Sequence, residues 1–202
     1  MELNDKIFQL LNFNDGFYIE CGANDGVKQS NTLRLENEKN WNGILIEPSI
    51  NAFEACKLNR GNLNIFENCL LSSFENENKE IDGDFDGSLM SSINGERLTR
   101  NSNYKVLSKT LTTILKSNNI NKVDFFSLDV EGHEYEVLNG LDFDYCSPTW
   151  IVIEIYTKDL EKIMDFMGEK NYKLIENLTN FNHKDNPHWD GTHNDYLFKI
   201  NG

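Results

Sequence analysis

The sequence is poor in basic residues and has no long apolar runs. It has 19 lysines and arginines against 33 aspartates and glutamates, a formal net charge of -14. A chain this acidic is repelled by nucleic acid and by anionic lipid, so we expect neither as a partner. No apolar run approaches the length of a membrane span, and residues 1–13 show no signal-peptide pattern. We therefore expect a cytoplasmic protein without a membrane span.

The cysteines are few and argue against a disulfide or zinc framework. They are Cys21, Cys56, Cys69 and Cys146. No two are closely spaced, and each lies in or beside apolar sequence, which is typical of buried thiols in a reducing compartment. With 202 residues the chain is long enough to bury the core of one domain, which we expect over residues 1–202.

The most informative stretch is a glycine-bearing turn after a short apolar run, GFYIECGANDG at residues 16–26. A buried strand followed by such a turn and a helix is the first unit of an α/β nucleotide-binding fold. Glycine in the turn lets a ligand approach backbone N–H groups closely. A dinucleotide fingerprint has a middle glycine where this chain has Asn24, which disfavours NAD. The spacing Glu20-x-Gly22-x-x-x-Gly26 resembles the first motif of methyltransferases that use S-adenosylmethionine (SAM).

A second apolar run, residues 42–46, ends in an acid at Glu47, and Pro48 suits the start of a helix. In nucleoside-binding α/β folds an acid at the end of the second strand accepts hydrogen bonds from the ribose hydroxyls. Glu47 lies roughly twenty-odd residues beyond Gly22, where that rule places the acid. Between them, residues 30–32 (Ser-Asn-Thr) could orient a carboxylate or a hydroxyl, or could cap the helix.

The remaining sequence alternates strands and helices, which predicts a parallel sheet with ligands at its carboxyl edge. Helices are predicted over 1–15, 29–39 and 50–60, and strands over 63–66, 123–129, 150–155, 172–175 and 196–200. Residues 74–105 are too long for an ordinary connection, and we predict a variable excursion near the active site that could contain a hairpin. Within it, residues 87–92 could line the adenine or acceptor site or form a mobile loop.

Three blocks in fixed order closely resemble FkbM-type SAM-dependent methyltransferases. They are IECGANDG at 19–26, LIEP at 45–48 and FFSLDVEGHE at 125–134, and the resemblance runs from about Gly16 to Lys199. It implies the class I methyltransferase fold, an α/β, Rossmann-like three-layer sandwich. The sheet of that fold is mostly parallel and seven-stranded, with an antiparallel last strand. The resemblance also implies O-methylation of a hydroxyl, often in a sugar, a glycan or a small metabolite.

The resemblance further implies a SAM site at the strand ends. The residues expected to form it are Glu20, Gly22, Asn24, Asp25, Gly26 and Ser30 around the turn, Glu47 and Pro48 after the second strand, Asn68 and Cys69 after the third, and Asp129 after the fourth. Glu47 would bind the ribose, and Cys69 or the Asn68 backbone would lie near the adenine. Asp129 would lie beside the transferring methyl group.

The predicted catalytic residues follow the fourth strand. A sugar hydroxyl is a poor nucleophile while protonated, so a positioned base accelerates its methylation. We favour His133 as the base because the pKa of imidazole suits neutral pH, with Asp129 orienting His133 or the acceptor. Glu131 is the third candidate, and Glu154 lies at the adjacent strand end. His133 could instead cap the following helix, and Glu131 could simply favour that helix's N-terminus.

A divalent metal ion is a possible but not favoured alternative. Asp129, Glu131, Glu154 and Asp190 could bind a divalent ion through oxygen. A zinc site is disfavoured, because the five-residue steps between His183, His188 and His193 have no regular metal-site geometry.

Two other functions also stay open. The chain could be an NAD-type nucleotide-binding oxidoreductase or a non-catalytic module that binds SAM. Binding of SAM rather than NAD would distinguish a methyltransferase from the oxidoreductase. Methyl transfer to a hydroxylated acceptor would distinguish a methyltransferase from the non-catalytic module.

Overall fold

The computed structural model describes residues 2–83, 104–187, 189 and 191–202. The α-helices are α1 (Leu3–Leu10), α2 (Leu33–Lys39), α3 (Ile50–Asn59), α4 (Leu111–Ser117), α5 (Glu134–Asn139) and α6 (Leu160–Glu169). The strands are β1 (Phe17–Cys21), β2 (Asn42–Ile46), β3 (Ile65–Glu67), β4 (Leu70–Leu71), β5 (Glu80–Gly83), β6 (Tyr104–Lys109), β7 (Phe125–Leu128), β8 (Trp150–Tyr156), β9 (Tyr172–Asn177) and β10 (His193–Ile200). No helix in these ranges is long and apolar enough to cross a bilayer.

Seven strands form one sheet in the order β3-β2-β1-β7-β8-β10-β9. The strands from β3 to β8 pair in parallel, whereas β10 runs antiparallel to both of its neighbours. This confirms the mostly parallel sheet with an antiparallel last strand. The strand order reverses between β1 and β7, and in open α/β sheets ligands bind outside the carboxyl ends at such a point.

The central strands β1, β2, β7 and β8 are mostly apolar and buried because helices cover both faces of the sheet. Successive side chains of a strand point to opposite faces, so Phe125 packs with α1, α2 and α3 while Phe126 packs with α4, α5 and α6. In the same way, Tyr18 packs on the side of Phe125 and Ile19 on the side of Phe126. One buried apolar core thus lies on each face of the sheet, which confirms the predicted three-layer sandwich.

The structure differs from the predicted elements in the lengths of the first two helices. α1 ends at Leu10 instead of residue 15. α2 begins at Leu33 instead of residue 29, because Gln29 has a φ of +56° and the next three residues bond to Glu20.

The predicted excursion contains part of a second sheet. β6 pairs in parallel with β4 and antiparallel with β5, which gives three strands in the order β4-β6-β5. The antiparallel β5–β6 pair agrees with the predicted hairpin. The proposed adenine or acceptor contacts at residues 87–92 lie outside the described residues.

Candidate functional site

The turn after β1 is hydrogen-bonded to the end of β2. The backbone N–H groups of Gly22 and Ala23 both donate to the Ile46 carbonyl oxygen at 3.1 Å. Gly22 has a φ of +75°, and a Cβ there would overlap the Asp129 carbonyl oxygen. Glycine is therefore required, because it alone permits both this conformation and this close approach to the end of β7.

Glu47 binds the same turn through its side chain. Its Oε2 accepts a 2.8 Å hydrogen bond from the Asn24 N–H, and its Oε1 accepts one of 2.8 Å from the Ser49 N–H. Burial raises the pKa of Glu47, although these two bonds oppose the shift. Each carboxylate oxygen can accept about two hydrogen bonds. As far as the described residues show, Glu47 thus keeps the capacity to accept two ribose hydroxyls.

Asn68 and Cys69 lie next to Glu47, after β3. The Asn68 side-chain amide donates to the carbonyl oxygens of Glu47 and Pro48 at 2.8 and 3.0 Å. The Cys69 thiol is buried in the core, and burial raises its pKa to about 12. Cys69 could therefore meet an adenine ring only through its backbone.

Asp25 stabilises the turn itself. Its Oδ1 accepts hydrogen bonds from the Val27 and Lys28 N–H groups at 3.0 and 2.8 Å. Burial would raise the pKa of Asp25, but these bonds and the charge of Lys28 outweigh it and lower the pKa. The carboxylate is therefore ionised at neutral pH and shapes the turn in which Asn24 has a φ of +47°.

Glu20 is enclosed beneath the turn. Its Oε2 accepts hydrogen bonds from the hydroxyls of Ser30 at 3.0 Å and Thr32 at 2.5 Å, and its Oε1 accepts one from the Asn31 N–H at 2.8 Å. The Ser30 hydroxyl also accepts a bond from the Leu33 N–H at 3.1 Å. Ser30 therefore both orients a carboxylate and caps α2, the two roles that the sequence left open.

Arg60, next to the end of α3, provides the positive charge for this carboxylate. Its side chain is 0% exposed and lies 3.1 Å from Glu20 and 2.8 Å from Glu36. The guanidinium also donates to the Gly26 carbonyl oxygen and to the hydroxyls of Ser30, Tyr18 and Thr32. Asn59-Arg60 is among the positions that resemble the FkbM family, but no role in the site was predicted for Arg60.

A cavity of about 660 Å³ lies at the carboxyl edge beside Asp129. Acidic residues are prominent in its lining: Glu2, Asp129, Glu154, Asp185 and Asp195. Amides form the largest group: Asn4, Gln29, Asn31, Asn180, Asn182 and Asn186. Phe181, Lys6 and His193 add an aromatic ring and two basic side chains. The cavity thus extends from the end of β7 to α1 and to the loop before β10.

Three acids approach one another at the edge of this cavity. One carboxyl oxygen from each of Asp129, Glu134 and Glu154 lies within 4.8 Å of the others, and Asp129 is hydrogen-bonded to Glu154. Burial, followed by repulsion from neighbouring acids, raises the pKa of both Asp129 and Glu154 well above the usual range. A proton shared between these two carboxyl groups relieves the repulsion.

Glu134 and Asp195 are also harder to ionise than ordinary acids. Burial raises the pKa of Glu134 to about 7, although its Oε1 accepts hydrogen bonds from the Val130 and Gly132 N–H groups at 3.1 and 3.0 Å. Burial raises the pKa of Asp195 to about 6, against a hydrogen bond from Thr179. Both residues therefore change charge near neutral pH.

We expect the folded protein to lose stability as pH rises from about 5 to about 8. The pKa of Glu134 is about 7 in the folded chain and about 4.3 in an unfolded one. The folded chain therefore binds this proton more tightly, and the stabilisation is lost as pH passes through the folded value. Between pH 5.5 and 8.5 the loss is about 2 kcal/mol, and Asp195 adds to it. Urea unfolding at pH 5.5 and 8.5 measures it.

Glu134→Gln keeps an oxygen for the two N–H donors and should remove most of this pH dependence. Glu176→Gln, which alters an exposed carboxylate in β9, is the matched control and should retain it. Equal pH dependence in the wild type and Glu134→Gln would show that Glu134 is not the group responsible.

The three predicted catalytic residues meet different partners. Asp129 lines the cavity, whereas the described lining includes neither His133 nor Glu131. The Nε2 of His133 lies 3.1 Å from the Ser72 hydroxyl, and its side chain makes no capping bond to α5. Burial lowers the pKa of His133, so the ring is neutral at pH 7. Glu131 accepts a 2.8 Å hydrogen bond from the Tyr156 hydroxyl.

The structure brings together part of the predicted metal-ligand set. Asp129 and Glu154 are neighbours, but the acid that completes the group of three is Glu134, not Glu131. Asp190 and His188 lie outside the described residues. In the described part of the chain, no potential metal-binding group includes His183 or His193. A divalent ion at Asp129 stays an alternative that the sequence does not favour.

Known proteins give an independent comparison. A family model described as the methyltransferase FkbM domain matches residues 20–174. No curated protein matches the sequence. A solved methyltransferase FkbM from Methylobacillus flagellatus KT is 15% identical, with a TM-score of 0.59 over 94% of this chain and 45% of its own. A putative rRNA-methylase from Clostridium thermocellum is 10% identical, with a TM-score of 0.55 over 98% of this chain and 93% of its own.

A third structure, a precorrin-6y C5,15-methyltransferase from Geobacter metallireducens GS-15, is 10% identical, with a TM-score of 0.53 over 98% of this chain and 87% of its own. At such identities the solved structures show a common fold alone. This chain spans less than half the length of the Methylobacillus flagellatus protein. The family model, however, matches most of the chain and includes the turn after β1, Glu47 and Asp129. The chain therefore belongs to the FkbM domain family of SAM-dependent methyltransferases.

Proposed function

We propose that this chain transfers a methyl group from SAM to a hydroxyl oxygen of an acceptor bound in the cavity beside Asp129. The observation that carries the proposal is the position of Asp129. Its carbonyl oxygen lies against the Gly22 turn, and its side chain lines the cavity. A donor along the turn and an acceptor in the cavity would meet at this residue, and such alignment is the main requirement of an in-line displacement.

The residues at the strand ends fit SAM as the methyl donor. Glu47 can accept the ribose hydroxyls, and the backbone of Asn68 and Cys69 can face the adenine. The turn around Gly22 offers backbone close to the methionine part, with Glu20 supporting it from below. SAM supplies a methyl group on a positively charged sulfur. The protein's contribution is to orient that group and the acceptor and to exclude water.

The acceptor that suits the cavity is neutral and carries several hydroxyl groups. Amide side chains both donate and accept hydrogen bonds, which matches the hydroxyl pattern of a sugar. Phe181 offers an apolar ring face. The acids of the lining would repel an acceptor that carries carboxylate or phosphate. We therefore propose a sugar, a glycan end or a similar polyhydroxylated metabolite.

Asp129 would contact the acceptor hydroxyl and either orient it or receive its proton. His133, favoured from the sequence, remains an alternative base, because its neutral ring could accept a proton at pH 7. Glu131 would act through Tyr156, to which it is hydrogen-bonded. These roles make Asp129→Asn the variant with the most direct effect on methyl transfer.

Calorimetry with SAM and NAD tests the class of cofactor, and we expect binding of SAM alone. Mass spectrometry of incubations with SAM then tests the acceptor, using methyl glycosides of a neutral hexose and of the corresponding uronic acid. We expect kcat/KM for the uronic acid to be at least about tenfold lower, because carboxylates lie along the cavity. Equal rates would contradict the acceptor class, and binding of NAD instead of SAM would contradict the function.

We propose a single domain over residues 1–202 and a cytoplasmic location. Because the Methylobacillus flagellatus protein is more than twice as long as the part covered here, acceptor and partners are proposed for this chain alone.

A further inference from the structure

A second cavity, of about 430 Å³, lies at the loop before β10. Two aromatic rings, a proline and two polar side chains line it: Phe181, Trp189, Pro187, Asp185 and Asn186. Phe181, Asp185 and Asn186 also line the cavity of about 660 Å³ beside Asp129. The two cavities therefore border the same three side chains, so a molecule held in the larger cavity has the smaller one next to it.

Hydrogen bonds hold the Trp189 ring in a fixed orientation. The indole N–H donates to the His193 carbonyl oxygen at 3.0 Å, and the backbone N–H donates to the Asn186 carbonyl oxygen at 3.0 Å. The ring also packs against His183, with 5.1 Å between the ring centroids. Because the indole N–H is already bonded, Trp189 offers a ligand the apolar surface of its ring and not a donor.

The Phe181 ring, on the other side of the loop, is anchored to the same strand. The Phe181 N–H donates to the Oδ1 of Asn194 at 2.6 Å, and the ring packs edge-on against His193. His193 and Asn194 are the first two residues of β10. Both aromatic rings are thus positioned before a ligand arrives, which lowers the entropy cost of binding.

The polar side chains of the second cavity suit hydroxyl groups. The Oδ2 of Asp185 accepts a 3.0 Å hydrogen bond from the Asn182 side-chain amide, and each carboxylate oxygen can accept about two. The amide of Asn186 can both donate and accept. A sugar ring has C–H groups on its faces and hydroxyls around its rim. Its C–H groups are attracted to the negative face of an aromatic ring, and its hydroxyls suit the carboxylate and the amide.

We propose that the second cavity binds the next sugar of an oligosaccharide acceptor, with the Trp189 ring against the C–H face of that sugar. The inference rests on the proposed function, because it places the methylated sugar in the cavity beside Asp129. Neighbouring sugars share one glycosidic oxygen, so the second unit lies directly beside the first. Phe181, Asp185 and Asn186, which border both cavities, lie along this linkage. The acceptor is then the end of a glycan and not a free monosaccharide.

A small organic cation such as choline is the other ligand that aromatic rings beside a carboxylate attract. The sugar is favoured because the second cavity adjoins a larger one whose lining is rich in amides. Asn186 belongs to both cavities and matches hydroxyl groups in each. Choline therefore serves as the competing ligand in the test.

Kinetics with SAM and three methyl glycosides test the second cavity. For wild type we expect kcat/KM about tenfold higher with methyl maltoside or methyl cellobioside than with methyl glucoside, mainly through a lower KM, because the second sugar adds contact with an aromatic ring. Trp189→Leu keeps an apolar side chain but loses the ring face, and should reduce this ratio to between about one and two.

Two further variants are the controls. Trp189→Phe loses the N–H donor to His193 but keeps a ring face, and should retain most of the ratio. Phe13→Leu alters a ring that is 44% exposed and packs against Trp41, and should retain all of it. A ratio near one in the wild type, or an unchanged ratio in Trp189→Leu, would overturn the second sugar site. Equal losses in Trp189→Leu and Trp189→Phe would also overturn it, because Trp189 would then only support the loop.

Tryptophan fluorescence gives a measurement that needs no methyl transfer. Trp189 is one of three tryptophans, and Trp41 is only 2% exposed. Maltose or cellobiose should change the wild-type emission at about tenfold lower concentration than glucose, and should leave the emission of Trp189→Leu unchanged.

The two measurements separate the second sugar site from the proposed function. If the emission changes as expected but no sugar is methylated, the proposed function fails and the sugar site stands. If glucose is methylated and neither disaccharide changes the emission, the function stands and the second site fails. A response to choline without a response to either disaccharide would identify a cation site and overturn the sugar site.

Discussion

Replacing Arg60 with methionine is expected to lower the free energy of unfolding by about 3 to 5 kcal/mol. Methionine occupies part of the same volume but leaves the carboxylates of Glu20 and Glu36 without their positive partner. Glu20 is only 4% exposed, so water cannot replace the guanidinium. Several hydrogen bonds to the turn and its support are lost as well, including the one to the Gly26 carbonyl oxygen.

Arg34→Met is the matched control, because Arg34 also forms two ion pairs. It lies 2.8 Å from Asp5 and 2.7 Å from Glu38, but its side chain is 43% exposed. An exposed pair contributes about 0 to 1 kcal/mol, so this variant should lose less than about 1 kcal/mol. Equilibrium urea unfolding at pH 7 compares the two. Similar losses in both variants would contradict a structural role for the buried charge.

The parts of the fold that could be predicted are those with a local signal. The glycine turn after β1 is visible because Gly22 and Gly26 interrupt an apolar run, and both have positive φ in the structure. Glu47 is visible because it ends an apolar strand. The three-layer sheet follows from the resemblance together with alternating strands and helices, and the family match and the described sheet confirm it.

The contacts that could not be predicted join residues far apart in the chain. Arg60 reaches Glu20 across forty positions, and no pattern near Arg60 indicates which way its side chain points. The sequence shows His193 only as one of three histidines spaced five residues apart, and the antiparallel pairing of β10 places it beside Glu154. His133 lies in a recognisable motif, but the motif does not indicate the contact of its ring with Ser72.

Glu47→Gln is expected to raise the SAM dissociation constant about 10- to 100-fold. A hydrogen bond to a charged group contributes about 1.5 to 3 kcal/mol, and glutamine replaces one of the two charged acceptor oxygens with a donor. The shape of the side chain is kept, so the Asn24 N–H can still bond to the remaining oxygen. Glu67→Gln, at the end of β3, is the matched control, because Glu67 pairs with Lys109 at 2.7 Å. It should bind SAM as the wild type does.

Calorimetry with the separate parts of the ligand shows why affinity is lost. If Glu47 accepts the ribose hydroxyls, adenosine should bind Glu47→Gln more weakly by the same factor as SAM, while 2′,3′-dideoxyadenosine should bind both proteins equally. If the variant instead loosens the turn that Glu47 supports through Asn24, the dideoxy compound should weaken too. Unchanged SAM affinity would remove Glu47 from the binding site. An equal loss of affinity for both nucleosides would show that Glu47 only supports the turn, because the ribose hydroxyls would then make no difference to binding.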